Sequence, residues 1–135
     1  MNSIRLRQIH WDEIQDHLER CLPFEGCGLL AGQRQLVTDV QPVTNVMRSE
    51  TTYRMDAGEQ VRALFGFEAE NLDLIAIYHS HPSGPEMPSE SDRQQASYPD
   101  VAHLICCRGD GGWSARAFRI GSAGEVKEIA VDWLK

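Results

Sequence analysis

Leu74-Ile75-Ala76-Ile77-Tyr78 is the most hydrophobic run of the chain. It is short, apolar and rich in β-formers, the pattern of a buried strand over 73–79. Ile4-Arg5-Leu6-Arg7 alternates and reads as a first edge strand, and Trp11, Ile14, Leu18 and Cys21 then recur at helical spacing until Pro23 stops the pattern. Residues 26–32 read as a strand whose glycines, Gly26, Gly28 and Gly32, suggest close backbone approach. A short turn around Gly32-Gln33-Arg34 leads into its hairpin partner over 35–43, and residues 45–55 are polar and irregular. Asp56-Ala57-Gly58-Glu59 resembles a capping box, with Val61, Leu64, Phe65 and Leu72 behind it at helical spacing. Gly66 costs a helix up to about 1 kcal/mol against Ala and marks an interruption there. A short polar helix runs from Ser89 to about Ser97, ahead of Tyr98-Pro99, and three strands close the chain at about 102–108, 113–120 and 125–133. The order β-α-β-β-α-β-α-β-β-β implies a mixed central β-sheet flanked by helices, α/β or α+β in class, in one domain over 1–135.

Composition narrows the function classes. A chain of 135 residues with 41% hydrophobic content buries a full core without disulfides. Cys21, Cys27, Cys106 and Cys107 form no CxxC pair and read as small buried residues in a reducing compartment. Met1-Asn2-Ser3 leads into alternating residues instead of an apolar run, so a cytoplasmic protein with no signal peptide and no membrane association is expected. The net charge is −7, and the thirteen Lys and Arg are scattered. Nucleic-acid binding needs a basic stripe, so no nucleic-acid partner is expected.

The chemistry concentrates in residues 79–92, His-Ser-His-Pro-Ser-Gly-Pro-Glu-Met-Pro-Ser-Glu-Ser-Asp, directly after the buried strand. Residues i and i+2 of a strand face one side, so His79 and His81 leave its end in parallel. With Asp92 they make a donor set suited to Zn²⁺, at about 2.0–2.1 Å for imidazole nitrogen and about 2.0–2.2 Å for carboxylate oxygen, with one position open. Water there would have a pKa near 7. Each residue also has a plainer role: a histidine as a core or surface residue, Asp92 as the N3 residue of a helix capped by Ser89. For Asp92 the two roles coexist, since a cap would aim it back at the strand end. Pro82, Pro85 and Pro88 limit the loop, and Gly84 supplies the one place for positive φ. The motif lacks an evident base, because Glu86 and Glu90 read as solvated.

The spacing His-x-His, seven residues, Ser, two residues, Asp resembles the JAMM (MPN+) zinc metalloprotease family. That family carries an upstream Glu-x-Cys-Gly-Leu-Leu-x-Gly, and this chain has Glu25-Gly26-Cys27-Gly28-Leu29-Leu30-Ala31-Gly32. Tyr78-His79-Ser80-His81-Pro82 and Tyr98-Pro99-Asp100 also look like it, so the resemblance covers nearly the whole chain. It implies a JAB1/MPN domain, cytidine-deaminase-like in fold. It further implies one Zn²⁺ held by His79, His81 and Asp92, with Glu25 as the general base and Ser89 as the hydroxyl that steadies the oxyanion. Small prokaryotic members act as sulfur-carrier–cysteine peptidases. The implied reaction is therefore hydrolysis, by metal-bound water, of the amide after the C-terminal Gly-Gly of a ubiquitin-like or sulfur-carrier protein. Met47–Arg54 matches where relatives grip an extended tail, and Pro85 and Met87 read either as a lip of the cleft or as plain surface loop.

Cys27 reads as packed, and His10, His17 and His103 as structural or solvated. Other functions compete. A non-catalytic MPN scaffold that binds partners would have lost ligands, and all are present here. A 2-His-1-carboxylate iron oxygenase usually has the order His-x-Asp…His. DNA-repair-associated relatives have Asn between the histidines and a further helical domain, where this chain has Ser80.

Overall fold

The computed structural model describes residues 3–96 and 98–135. Met1 and Asn2, on which the reading of the chain's start rests, and Ser97, where the short third helix is expected to end, lie outside them. Among the described residues the elements follow the expected order. They are β1 (Ser3–Arg7), α1 (Gln8–Cys21), β2 (Cys27–Gln33), β3 (Leu36–Val43), α2 (Ala57–Ala69), β4 (Asp73–His81), α3 (Glu90–Gln95), β5 (Ala102–Gly109), β6 (Gly112–Ile120) and β7 (Val126–Leu134). The sheet is mixed and its strand order is β1-β3-β2-β4-β5-β6-β7, closed into a barrel by parallel pairing of β7 with β1. No helix among the described residues is long and apolar enough to cross a membrane.

Helix α1 ends where the sequence stops it, because Leu22 turns extended ahead of Pro23. Its buried stripe Trp11, Ile14 and Leu18 packs with Ile4, Leu6, Leu30, Tyr78 and Leu104. Each of those side chains contributes about 1.5–3 kcal/mol by leaving water, as an upper bound. A second cluster, Cys27, Leu29, Ala31, Val43, Phe67 and Ile77, takes the alternate residues of β2 and so lies on the sheet's other face, under α2.

Helix α2 departs from the sequence reading in two ways. The Asp56 carboxylate accepts from the Glu59 amide at 2.9 Å, as a cap should, but the helix runs unbroken through Gly66, which is exposed with open space around it. Its buried residue is Phe67, with Ala63 and Leu64 packed beside it, whereas Val61 and Phe65 are exposed. Two apolar stripes of equal period run along this helix. Which one faces inward is decided by the groove it meets, not by its own pattern.

Strand β4 is longer than its hydrophobic run. Its parallel ladder with β5 continues through Ser80↔Cys106 and His81↔Cys107, and β2 pairs Cys27 with His79. Both histidines are therefore strand residues and do not lie in the loop beyond. The β2 glycines have the close neighbours their spacing suggests. A Cβ at Gly28 would run into the Tyr78 ring, and one at Gly32 would meet the Leu36 carbonyl oxygen. Tyr78 is fully buried, and its hydroxyl meets His17 Nδ1 at 2.7 Å. Gly28→Ala should cost about 1–3 kcal/mol by overpacking against that ring, read as a lower midpoint in urea at unchanged slope.

Candidate metal centre

His79 and His81 sit two residues apart on one face of β4, 0% and 5% exposed. Asp92 reaches the same point from α3, oriented by a complete capping box. Ser89 Oγ accepts from the Asp92 amide at 3.0 Å, while Asp92 Oδ2 accepts from the Ser89 amide at 2.8 Å. The result is a small triangle: His79 Nε2 and His81 Nε2 are 3.2 Å apart, and Asp92 Oδ2 lies 3.1 and 3.0 Å from them. Tetrahedral zinc at its usual bond lengths holds ligand atoms about 3.3–3.5 Å apart, so the triangle fits one face of such a site within a few tenths of an ångström.

The surroundings of each ligand favour a cation. His81 Nδ1 faces the Pro85 carbonyl oxygen at 2.8 Å. A carbonyl only accepts, so Nδ1 bears a proton; once the Nε2 proton that bonds Asp92 is given up, the ring is left in the tautomer whose Nε2 lone pair a metal requires. Tyr53 stacks on His79, with centroids 4.5 Å apart and planes 25° from parallel, and fixes that ring. Burial alone would push Asp92 up; hydrogen bonds from the two histidines outweigh it and hold the carboxyl well below the ordinary range. Burial lowers the proton affinity of His79. For His81 the bonds to Asp92 and Pro85 outweigh burial and raise it.

Glu25 stands opposite, in the segment between α1 and β2. One carboxylate oxygen lies within 4.8 Å of a nitrogen of each histidine. Its main chain is clamped: its amide donates to Ser49 O at 2.7 Å, and its carbonyl accepts from Asn45 Nδ2 at 3.0 Å. The next residue is tied to β4, since the Gly26 amide donates to Ser80 Oγ at 2.8 Å. The side chain is 3% exposed, and Oε1 has no hydrogen-bond partner among the described residues. Burial pushes its pKa from 4.5 up to about 7, with His81 opposing and Asp92 adding to the rise. Two donor sets thus share the histidines. In the one completed by Asp92 the three ligand atoms lie 3.0–3.2 Å apart, and in the one completed by Glu25 they lie within 4.8 Å of one another.

The other nominated residues sort as follows. Glu86 bonds Ser114 and Glu90 bonds Gln94, both on the exposed surface. Cys27 is buried against Val43 O, its thiol pushed up to about 12 by burial, which leaves it inert. Pro85 is more than a lip, since its carbonyl orients His81. His17 is structural, half-buried with its ring between Tyr78 and Cys21. Sequence reasoning missed Tyr53, and also Asn45, whose amide holds Glu25 O and Thr52 O while its oxygen takes the Met47 and Arg54 amides. His103, expected to be structural or solvated, is buried, 3% exposed in β5. The one available signal was a lone polar residue inside the run Ala102-His103-Leu104-Ile105.

Burial lowers the His103 pKa from 6.5 to about 4. Between those values the unfolded chain binds the extra proton, so stability falls as pH drops from about 6.5 to about 4, by up to about 3 kcal/mol. His103→Phe should remove that part of the acid sensitivity, measured as urea midpoints of the chelated protein at pH 7 and pH 4.5.

Residues 7–121 match the family described as prokaryotic homologs of the JAB domain. The chain belongs to that family. Among JAB-domain relatives, a probable TtuB-protein conjugate cleaving protease of Thermus thermophilus is 46% identical over 121 residues, covering 89% of this chain and 78% of its own. A desampylase of Haloferax volcanii is 37% identical over 112 residues, covering 81% of this chain and 78% of its own. The JAB-domain fold matches the solution structure of a Desulfitobacterium hafniense protein at TM-score 0.87 and 29% identity, covering 98% of this chain and 93% of that one.

Proposed function

We propose that this JAB-domain protein is a zinc-dependent peptidase that hydrolyses the amide after the C-terminal Gly-Gly of a ubiquitin-like or sulfur-carrier protein. The observation that carries the proposal is the triangle of His79, His81 and Asp92 with a buried, unpartnered carboxylate across from it. A scaffold that only bound partners would have no use for burying Glu25 without a partner, which costs stability. The named activities of the relatives from Thermus thermophilus and Haloferax volcanii support the substrate class.

In this mechanism His79, His81 and Asp92 would hold the zinc. When bound, the zinc supplies Lewis acidity, which activates water and polarises the scissile carbonyl. Glu25, with a proton affinity near neutrality, takes a proton from the attacking water and returns it to the leaving nitrogen, so that a carboxylate and an amine are released. The Ser89 hydroxyl uses a lone pair for the cap. Its own proton stays free to donate to the carbonyl oxygen as negative charge develops there.

Ser89→Ala should therefore lose two things at once: about 1 kcal/mol of stability from the cap, and about 10²–10³ in kcat from the donor. Ser89→Thr keeps both hydroxyl functions and should recover them. Urea midpoints and single-turnover rates read the two effects separately. The function itself is tested with a ubiquitin-like carrier joined through Gly-Gly to cysteine or to a lysine side chain, with the products weighed by mass spectrometry. A carrier product ending at the second glycine is expected; cleavage at another bond, or none with zinc present, contradicts the proposal.

A further inference from the structure

Beside the metal centre lies a cavity of about 220 Å³ lined by Tyr53, Met55, Ile77, Asp92, Tyr98 and His103 among others. His103 is 3% exposed, and neither ring nitrogen has a hydrogen-bond partner among the described residues. Leaving an imidazole buried and unpaired is costly, and a fold that retains one has a use for it. The register says where it points. In the parallel pair β4/β5, Ile77 faces His103 and His79 faces Ile105, so His103 lies on the sheet face that carries the metal ligands. It is displaced from His79 by two residues along the strand, about 6.6 Å, the span of two residues of extended peptide.

We propose that His103 is a specificity-determining residue that holds the main chain of the substrate's tail, within two residues of the scissile amide. This rests on the function proposed above and names the group that recognises the tail. A glycine tail offers only main-chain N–H and C=O, and a neutral imidazole offers one donor and one acceptor to match them. Ile77, Met55 and Tyr53 line the cavity beside the ring, together with the polar Arg54, Gln60 and Gln95, and a side chain on the tail would meet these walls before its backbone reached the ring.

The test uses the zinc-loaded protein and two measurements. In the first, a synthetic peptide ending in Gly-Gly is titrated in while the imidazole ¹⁵N resonances are followed. Those of His103 should shift, and no shift overturns the proposal. In the second, cleavage kinetics of a Gly-Gly-linked carrier conjugate are compared for wild type, His103→Phe and His103→Asn. His103→Phe should raise KM about five- to tenfold with kcat within about twofold, and His103→Asn, which keeps a donor and an acceptor, should recover most of it. Thermal stability of His103→Phe should not fall, because an unpaired polar group has been removed. An unchanged KM in His103→Phe, or equal loss in both variants together with a lower Tm, overturns the assignment. The two proposals fail separately. Wild-type cleavage after Gly-Gly with an indifferent His103→Phe sinks only the role of His103. Peptide-induced His103 shifts in a protein that cleaves nothing sink only the reaction.

Discussion

Glu25→Gln should lower kcat by about 10²–10⁴ while zinc content and KM stay near those of the unsubstituted protein. The amide fills the same volume but cannot accept the water's proton, so the loss belongs to proton transfer alone. The substitution should also change stability in a direction that separates it from ordinary damage. With its pKa raised from 4.5 to about 7, Glu25 in the folded, chelated protein resists ionisation that the unfolded chain undergoes freely. Stability is fully present below about pH 4.5 and is lost as pH rises toward 7, by up to about 3 kcal/mol. Glu25→Gln should abolish that decline. A variant that is slower yet more stable at pH 7 than its parent marks a residue kept for chemistry and not for folding. Pre-steady-state cleavage rates and urea midpoints at pH 4.5 and 7 check both halves.

The second large effect is loss of the metal. Asp92 caps α3 and completes the triangle, and one substitution can divide those roles. Asn at 92 can still accept from the Ser89 amide and receive the cap, but it is a weak, uncharged zinc ligand. Asp92→Asn should fold with a urea midpoint close to that of the chelated parent, bind zinc more weakly by more than the roughly 10–100-fold that outer-shell substitutions cost, and cleave at background rate. His79→Ala should lose zinc as well and also leave Tyr53 without its stacking partner. Zinc analysis after dialysis, set beside the midpoints, distinguishes a missing ligand from a misfolded helix.

The chain wrote its local elements plainly. Period-two and period-3.6 patterns, the Asp56 and Ser89 caps and the stop at Pro23 placed every helix and strand in order, because each is decided within a few residues. The meeting of His79, His81 and Asp92 was equally legible, since the two histidines share a strand face and the capping box that starts α3 is what turns Asp92 toward them. Closure of the barrel was not legible, because the β7–β1 pairing joins strands more than a hundred residues apart with no local signature. The inward face of α2 failed for the related reason that two stripes compete. Glu25 is a third case: nothing in its own neighbourhood distinguishes it, and the bonds that Ser49, Asn45 and Ser80 make with residues 25 and 26 hold it beside the histidines, so the role expected of it came from family likeness. His103 and Tyr53 matter through strand register and stacking, which composition does not carry.

The central claim is that one zinc on His79, His81 and Asp92, served by Glu25, drives amide hydrolysis. The most direct test chelates the protein, restores zinc stepwise, and follows cleavage of a Gly-Gly-linked carrier conjugate at each step. Activity should be absent after chelation, rise in proportion to added zinc and level off at one equivalent per chain, with Glu25→Gln binding the same equivalent and staying slow. Full cleavage by the chelated protein that persists in Glu25→Gln would contradict the account.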